Sequence, residues 1–416
     1  MAEIAEVASV VDQKDRTARY VALLEGWAKG HDGAGLVSLG GHLVSEGGGQ
    51  RIAPPRRPAA PPPRRPTGHA PPCPADVPLA VAKAALTALV ACLGDLPDTL
   101  HLDVGRQLVD LLQPRLTSFE EQAAGLREGM AAALERAEDY AGAARALAGI
   151  NLESGPRAAS AHHRLATYVR IAMLFLEDGD AVSAETYTKR ASPLVAAVAD
   201  SPGLELQYKT CYARVLDSKR KFLEAATRYY DLSQAPAALV GEGDRRTALG
   251  AAAACAILAG AGPQRSRVLA MLCRDERCAE LPTHSLLTKV FLGRLLGRDD
   301  VEAFRATLPP HQLATLPDGS TVLDRACSEH NLVAASRLYC NVSFDQLGAL
   351  LGLSPDRAEA VASRMIREGR LEGTLDQVSG VLVFRTETHL ERWDARISAL
   401  CRRVNAASAA VGGRGE

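Results

Sequence analysis

Histidines, cysteines and carboxylates are the residues of this chain that could hold a metal ion or catalyse a reaction. Cys273 and Cys278 are separated by four residues, but no second pair of Cys or His at ligand spacing follows them. A zinc site needs about four ligands. His162 and His163 are neighbours, and adjacent residues point to different sides of a helix. We therefore predict no metal ion for this chain.

Sequence motifs of hydrolases and transferases are also missing. The chain contains no phosphate-binding G-x-x-x-x-G-K-[ST] loop, no G-x-S-x-G nucleophile motif and no H-E-x-x-H zinc motif. Paired carboxylates such as Glu120-Glu121 stand at expected helix starts, where they interact favourably with the helix dipole. We therefore expect no catalytic and no cofactor-binding residues, and hence a protein that is not an enzyme.

The elements that carry these residues follow from the composition. The chain has 416 residues, of which 47% are hydrophobic and 23% are charged, which is enough apolar material for two or three packed domains. Its formal net charge is −1, so no global field attracts it to nucleic acid or to an anionic membrane. No run of 18 apolar residues occurs, and the acidic start does not resemble a signal peptide. We expect a soluble, intracellular protein that does not contact a membrane.

Residues 79–308 are dominated by Ala, Leu and Arg, which favour helix, and they repeat with a period of 41 residues. The small residues that recur are Ala131, Ala172, Ala213 and Ala254 on one helix and Ala143, Ala184 and Ala225 on the next. The larger apolar residues that recur are Leu134, Phe175, Leu216 and Ile257. Small residues let two helices approach closely, and large ones fill the adjacent layer. The spacing therefore predicts a mainly α fold with a helical-repeat solenoid of the TPR/HEAT kind.

The text before this solenoid is different. Residues 1–52 contain one helical pattern around Tyr20 to Trp27 and then a Gly-rich stretch, so we expect a poorly defined segment. Residues 53–78 are mostly Pro, Ala and paired Arg. Such a segment lacks the apolar periodicity that folding requires, and we expect a disordered linker there.

Residues 309–386 predict a winged helix after the solenoid. A short helix is expected to start at Ser343 and a second one at Ser354, because both are capping residues before an apolar pattern. Two short strands follow at Leu371–Asp376 and Val381–Phe384. Helix, helix and hairpin in this order are typical of a winged helix.

Residues 387–406 are expected to form a last helix with an apolar seam, followed by a flexible tail at 407–416. The seam residues are Leu390, Trp393, Ile397, Leu400 and Val404. Their spacings of 3 and 4 residues match a heptad, which is narrower than the face that a helix usually lays on its own core. The pattern favours packing against helices of other chains. The alternative, that the helix folds back on its own winged helix, stays open.

A winged helix can also bind nucleic acid through its second helix. Up to residue 368 that helix carries Arg357, Arg364 and Arg367 against three acidic residues. It therefore lacks the surplus positive charge that contacts to phosphates require, and we expect no nucleic-acid binding.

The most basic local cluster lies on the solenoid instead. It consists of Lys219, Arg220 and Lys221 with Arg214 and Arg228. Two interpretations stay open. The cluster is either a solvated repeat turn or a docking patch for an acidic protein.

Six stretches of the chain resemble a known family. They are QPRLTSFEEQ (113–122), TYVRIAMLFLEDGDAVSAETYTKRAS (167–192), CYARVLDSKRKFLEAATRYYDLS (211–233), QRSRVLAMLCRDERC (264–278), LDRACSEHNLVAASRLY (323–339) and FDQLGALL (344–351). In these stretches the chain resembles the subunit-four family of the constitutive-photomorphogenesis-nine (COP-nine) signalosome. This family belongs to the PCI-domain proteins, in which helical repeats precede a winged helix. The first 80 or so residues depart from the family's N-terminal helical repeats.

The resemblance implies a non-catalytic scaffold and substrate-sensing subunit of an eight-subunit complex. That complex removes a ubiquitin-like modifier from cullin-RING ubiquitin ligases (protein deneddylation) in the nucleus and cytoplasm, and its metal site belongs to another subunit. The implied partners are the other signalosome subunits and, as substrate of the complex, a cullin-RING ligase. The nearest alternative is a PCI subunit of the proteasome regulatory-particle lid. A winged-helix nucleic-acid binder is a further alternative.

The predicted subunit interface has two parts. The strands contribute Leu371, Leu375, Val381 and Val383, because an unpaired strand edge is a template for another chain. The last helix contributes its five seam residues. Family members join through winged-helix edges and a bundle of C-terminal helices, and both predicted parts fit that arrangement.

Overall fold

A computed structural model describes residues 3–4, 7, 13–30, 32–46, 79–153, 160–198, 201–316, 319–384 and 389–412. The expected linker at 53–78 lies outside the described residues. The chain divides into two units, residues 1–211 and residues 212–416. Each unit is described by itself.

The described part of the first unit is helical. Its helices are α1 (Gln13–Lys29), α2 (Gly33–Glu46), α3 (Leu79–Leu93), α4 (Asp98–Leu112), α5 (Glu120–Arg136), α6 (Tyr140–Ala148), α7 (Ala161–Asp178), α8 (Ala181–Val195) and the first part of α9 (Pro202–Ser218), with 3-10 turns at Gln113–Ser118 and Ala196–Val198. Consecutive helices such as α5 and α6 or α7 and α8 pack on each other, as a helical repeat requires.

The Gly-rich stretch after Trp27 forms helix α2, contrary to the sequence-based expectation. Leu36, Leu39 and Leu43 lie on one face of α2 and are fully buried in a core shared with α1, α3 and α4. Gly40 faces Leu108 of α4 so closely that a Cβ atom at this position would clash with it. The glycine therefore lets two helices approach, and the packing outweighs its poor helix propensity.

The predicted 41-residue repeat corresponds to buried positions. Of the eleven repeated residues, all are buried except Ala254, which is half-buried. Alanines at these positions permit close helix contacts, and the larger residues fill the space beside them.

The turn between the two helices of a repeat also recurs every 41 residues. Glu138, Gly179 and Arg220 all adopt a left-handed conformation, with φ of 60°, 88° and 61°. In each turn the amide after this residue donates to the carbonyl oxygen five positions earlier in the preceding helix, which satisfies a helix C-terminus. Asp139 and Asp180 then cap the helix that follows.

The second unit combines further helices with a small sheet. After the end of α9 it contains α10 (Phe222–Ser233), α11 (Glu242–Leu258), α12 (Pro263–Arg274), α13 (His284–Phe291), α14 (Arg298–Arg305), α15 (Val322–Leu338), β1 (Asn341–Ser343), α16 (Phe344–Leu351), α17 (Pro355–Arg367), β2 (Gly373–Asp376), β3 (Val381–Phe384) and α18 (His389–Gly412), with 3-10 turns at Glu276–Glu280 and Pro310–Leu313. This element order confirms the predicted mainly α fold with helical repeats before a winged helix.

The winged helix has the two predicted helices and one strand more than predicted. Ser343 accepts a hydrogen bond from the amide of Gln346 at 3.3 Å, and α16 ends at Gly352 with φ of 69°. The sheet has the order β1-β3-β2 with antiparallel pairs. Its core side, around Leu382, packs on α15, α16 and α17. Strand β1 was missed because three residues are too few to show an alternating pattern.

The last helix is longer than expected. Helix α18 continues to Gly412, so residues 407–412, which we expected in a flexible tail, are helical. This extension is rich in Ala, the residue with the highest helix propensity.

A buried carboxylate joins α9 to the turn at Pro310–Leu313. The amide nitrogen of Gln312 donates to both oxygens of Asp217 at 2.8 and 3.0 Å, and Nε2 of His311 lies 3.0 Å from Oδ2. Asp217 and Gln312 are both buried. Burial, together with the charge of Asp217, raises the pKa of the neighbouring Tyr229. The polar groups of this contact are therefore satisfied by one another in a largely apolar setting.

We expect Asp217→Ala to destabilise the free protein by about 1–3 kcal/mol, because the buried amide of Gln312 loses its acceptor. Chemical unfolding of the purified chain measures this effect. Asp231→Ala is the control, because this carboxylate is exposed and lies 3.8 Å from Arg228; its loss should cost less than about 0.5 kcal/mol. Equal unfolding curves for both variants would contradict the prediction.

Candidate protein-binding site

Glu329 on α15 fixes the position of the winged helix. Its side chain is buried and accepts hydrogen bonds from three arginines. Nε of Arg325 lies 3.0 Å from Oε1, Nη1 of Arg370 lies 2.5 Å from Oε2, and Nη2 of Arg364 lies 3.4 Å from Oε1. Arg325 is on α15, Arg364 is on α17 and Arg370 precedes β2. One carboxylate therefore connects the long helix to the second helix and the hairpin of the winged helix.

The charge of Glu329 follows from these partners. Burial raises the pKa of this carboxyl group, but the ion pairs and hydrogen bonds with Arg370 and Arg325 lower it further, and the net pKa lies below the ordinary value. The carboxylate is therefore ionised at neutral pH, and its ionised form contributes to the stability of the folded state.

The next two residues of α15 hold the segment between α13 and α14. Asn331 accepts from the amide of Leu296 at 2.8 Å and donates to its carbonyl oxygen at 3.2 Å. Nε2 of His330 lies 2.9 Å from the carbonyl oxygen of Arg294. Burial lowers the pKa of His330 to about 4, so this histidine is neutral at pH 7. Helix α15 thus carries contacts to both the helices before it and the winged helix after it.

The four interface residues predicted on the strands occupy different environments. Leu371 is only 6% exposed and belongs to the core of the winged helix, and Leu375 packs half-buried on the same core. Val381 is half-buried, whereas the side chain of Val383 is 40% exposed. Of these four side chains, that of Val383 is therefore the most accessible to a partner.

The sheet order also corrects which strand offers an edge. Strand β3 pairs with β1 on one side and β2 on the other, so its backbone is used on both sides. Within the described sheet, the outer sides of β1 and β2 are the edges. Any strand addition would therefore use Asn341–Ser343 or Gly373–Asp376 rather than Val381–Phe384.

The five seam residues of α18 lie together on one exposed face. Leu390, Trp393, Ile397, Leu400 and Val404 are between 51% and 76% exposed. Isolated exposed apolar residues are common, but five at heptad spacing form a continuous stripe. The exposure favours packing against another chain over the alternative in which α18 covers its own core.

The described residues also limit the chemistry of the chain. None of their His, Cys, Asp and Glu side chains form a group of three or more that could hold a metal ion, and no described helix is long and apolar enough to cross a membrane. Burial raises the pKa of Cys278 to about 11 and also raises the pKa of Cys273. Both cysteines are therefore protonated thiols at neutral pH and poor nucleophiles.

Comparison with known proteins gives matches over most of the chain. The family described as "PSMD12/CSN4, N-terminal" matches residues 79–239. The family described as "PCI domain" matches residues 308–386. The second range contains α15 from its first residue, the three strands and both helices of the winged helix.

Proteins named COP9 signalosome complex subunit 4 are similar to this chain over long alignments. The Arabidopsis thaliana protein is 47% identical over 336 residues, which cover 79% of this chain and 84% of the relative. The Drosophila melanogaster protein is 45% identical over 329 residues, or 79% of this chain and 80% of the relative. The Dictyostelium discoideum protein is 38% identical over 401 residues, or 96% and 94%.

We expect the stability difference between the wild type and Glu329→Gln to depend on pH. The pKa of Glu329 is lowered on folding, so its contribution is present above the unfolded carboxyl pKa of about 4.3 and is lost as pH falls through the lower folded value. Melting temperatures measured from about pH 7 to pH 3 should therefore converge in acid. A gap that stays constant over this range would contradict the role of the ionised carboxylate.

We also expect Val383→Pro to destabilise the free chain, because β3 is the central strand. Proline removes a backbone donor and leaves a carbonyl of a neighbouring strand unpaired, which should cost about 1–3 kcal/mol. Denaturant unfolding of the isolated protein measures this cost. Val383→Ala, which shortens the exposed side chain and keeps the amide, is the control and should unfold like the wild type. An unchanged stability of the proline variant would show that this strand has a free edge.

Proposed function

The chain belongs to the COP9 signalosome subunit 4 family, and we propose that it acts as a non-catalytic scaffold subunit of such a complex. The observation that carries this proposal is the uncovered apolar seam of α18. Its residues are more than half exposed in the free chain, although leucine, isoleucine and tryptophan gain most when they are removed from water. A surface of this kind is stable only when it is covered.

The seam has the dimensions of a helix-packing surface. Leu390 and Val404 are the ends of the stripe, and 14 residues apart along a helix is about 21 Å. Charged residues flank it, among them Asp394, Arg396 and Arg403. In helical bundles such flanking charges select the partner and its orientation, while the seam provides the affinity. We therefore assign the seam to a bundle with helices of other subunits.

The winged helix contributes a second contact in this proposal. The outer sides of β1 and β2 present unpaired backbone groups, which a strand of a neighbouring subunit can use. Val383 adds an exposed apolar side chain on the central strand. We propose that the neighbouring subunits bind along this sheet and at the α18 seam together.

The role of the whole assembly rests on the family resemblance. We propose that the complex removes a ubiquitin-like modifier from cullin-RING ligases, and that this subunit senses the substrate without taking part in the chemistry. The absence of a candidate metal group among the described residues and the protonated state of the two neighbouring cysteines fit a non-catalytic role. We place the complex in the nucleus and cytoplasm.

Nucleic-acid binding remains the weaker alternative for the winged helix. Of the three arginines on its second helix, Arg364 contacts the buried Glu329 and is largely covered. Two arginines then face the acidic residues Asp356 and Glu359 on the same helix. Phosphate contacts need more positive charge than this surface offers.

We expect Ile397→Glu together with Leu400→Glu to disrupt assembly without unfolding the chain. Both side chains are exposed in the free protein, so circular dichroism and the melting temperature should stay close to wild type. In the complex the two charges would be buried without partners, so recovery of other subunits in an affinity purification should fall sharply. Mass spectrometry of the wild-type sample identifies these subunits and distinguishes a signalosome from a proteasome lid.

The matched control is Ala395→Glu together with Ala399→Glu, which places two charges on the opposite face of α18. This variant should assemble like the wild type. Loss of folding in the Ile397/Leu400 variant before any loss of binding would show that the helix serves its own core. Equal assembly of the two variants would contradict the role of the seam.

A further inference from the structure

The turn between α9 and α10 differs from the two equivalent turns before it. Asp139 accepts from the amide of Gly142 at 2.8 Å, and Asp180 accepts from the amides that follow it at 3.1 Å. At the corresponding position of the third turn stands Lys221, which makes no capping bond. The preceding residue, Arg220, has φ of 61° where Gly179 occupies the same position in the second turn.

Both residues of the third turn are unfavourable for the local fold. A side chain such as that of Arg220 is strained in the left-handed region, where glycine is not. Lys221 cannot accept an amide hydrogen bond and places a positive charge at the positive end of the helix dipole. Residues that oppose the local structure are expected where a surface has another task.

Arg220 lines a cavity of about 430 Å³ within the second unit. Its walls are apolar where Phe222, Leu258 and Val322 contribute, and all three are buried. Arg325 and Arg370 line the other side together with Glu329. The cavity therefore combines an apolar floor with three guanidinium groups.

Positive charge is in excess in this cavity. Glu329 is its one lining carboxylate, and it already accepts from both Arg325 and Arg370. Arg220 forms no ion pair with any residue in the part of the chain that the structure describes. An additional carboxylate from outside would meet a guanidinium that has no acidic partner of its own.

Gly260 keeps the cavity open on the side of Arg370. A Cβ atom at this position would lie 3.3 Å from Nη1 of Arg370 and 3.9 Å from Oε2 of Glu329. Any longer side chain would extend into this space. The glycine thus leaves the guanidinium of Arg370 within reach of a ligand.

We propose that this cavity binds an acidic peptide segment of a partner protein. A carboxylate of the segment pairs with Arg220 and Arg370, since guanidinium and carboxylate groups form strong charge-assisted hydrogen bonds. An aliphatic or aromatic side chain beside it packs on Phe222 and Leu258. The apolar floor favours a peptide over a nucleic-acid backbone, and the site is independent of the α18 seam.

The first experiment selects ligands without assuming a partner. A random dodecapeptide phage library is panned against the full-length chain at low salt, and enriched peptides are synthesised with a fluorescent label. We expect peptides in which Asp or Glu stands beside Leu, Ile or Phe, with an affinity that falls as salt is added. Because the free chain is used, the result does not depend on whether the protein joins a signalosome.

Two variants then locate the binding site. Arg220→Gly with Lys221→Asp restores the pattern of the other turns; it should raise the melting temperature by about 2 °C and weaken peptide binding by about tenfold or more. A residue that merely stabilised the turn would not lower binding while raising stability. Gly260→Leu leaves every charge in place but fills the cavity, and it should also abolish binding.

Glu138→Gly is the matched control. It relieves the same left-handed strain in the first turn, where no basic triplet is present, and it should leave peptide binding unchanged. Enrichment of neutral or basic peptides, or of none, would overturn the proposal, and so would binding that survives either cavity variant. Binding of oligo-dT that is lost in the same variants would also overturn it, because the site would then serve nucleic acid.

Discussion

The shared ion pair of Glu329 is the interaction on which the second unit depends. One buried carboxylate is surrounded by guanidinium groups from α15, from α17 and from the segment before β2. Removing any charge from such a cluster leaves the others buried with too few partners, so the three elements have one favourable arrangement. The sheet order, the exposed side of β3 and the cavity beside Arg370 all follow from this arrangement. The same helix holds the preceding segment through His330 and Asn331, so α15 connects the repeat helices to the winged helix.

Small residues have an equivalent role in the repeat helices. Alanines such as Ala143 and Ala184 are fully buried, and each permits a neighbouring helix to lie close by. Gly40 does the same for the N-terminal helices. A chain with few aromatic residues can therefore still form well-packed cores, because its helices approach closely enough for short side chains to fill the space.

Local patterns in the sequence predicted much of the fold, and long-range contacts account for what they missed. The 41-residue spacing and the capping residues Ser343 and Ser354 correctly indicated the repeats and the two winged-helix helices, since these signals lie within a few residues of the structure they specify. Helix α2 was missed because its glycines lower helix propensity, while the burial of its leucines depends on α4. The Glu329 cluster joins residues 35 and 41 positions apart, and the one local signal for it was Arg325 four residues before Glu329. For the candidate site, the seam followed directly from spacing, whereas the central position of β3 depended on a three-residue strand that no pattern announces.

The uncovered stripe on α18 has a consequence for the life of the protein in the cell. A newly made copy that has not met its partners displays leucine, isoleucine and tryptophan in a row, which is the kind of surface that chaperones and quality-control proteases bind. Assembly removes that surface from view. The amount of this chain that persists is thus set by the supply of its partners, and surplus copies carry their own mark for removal.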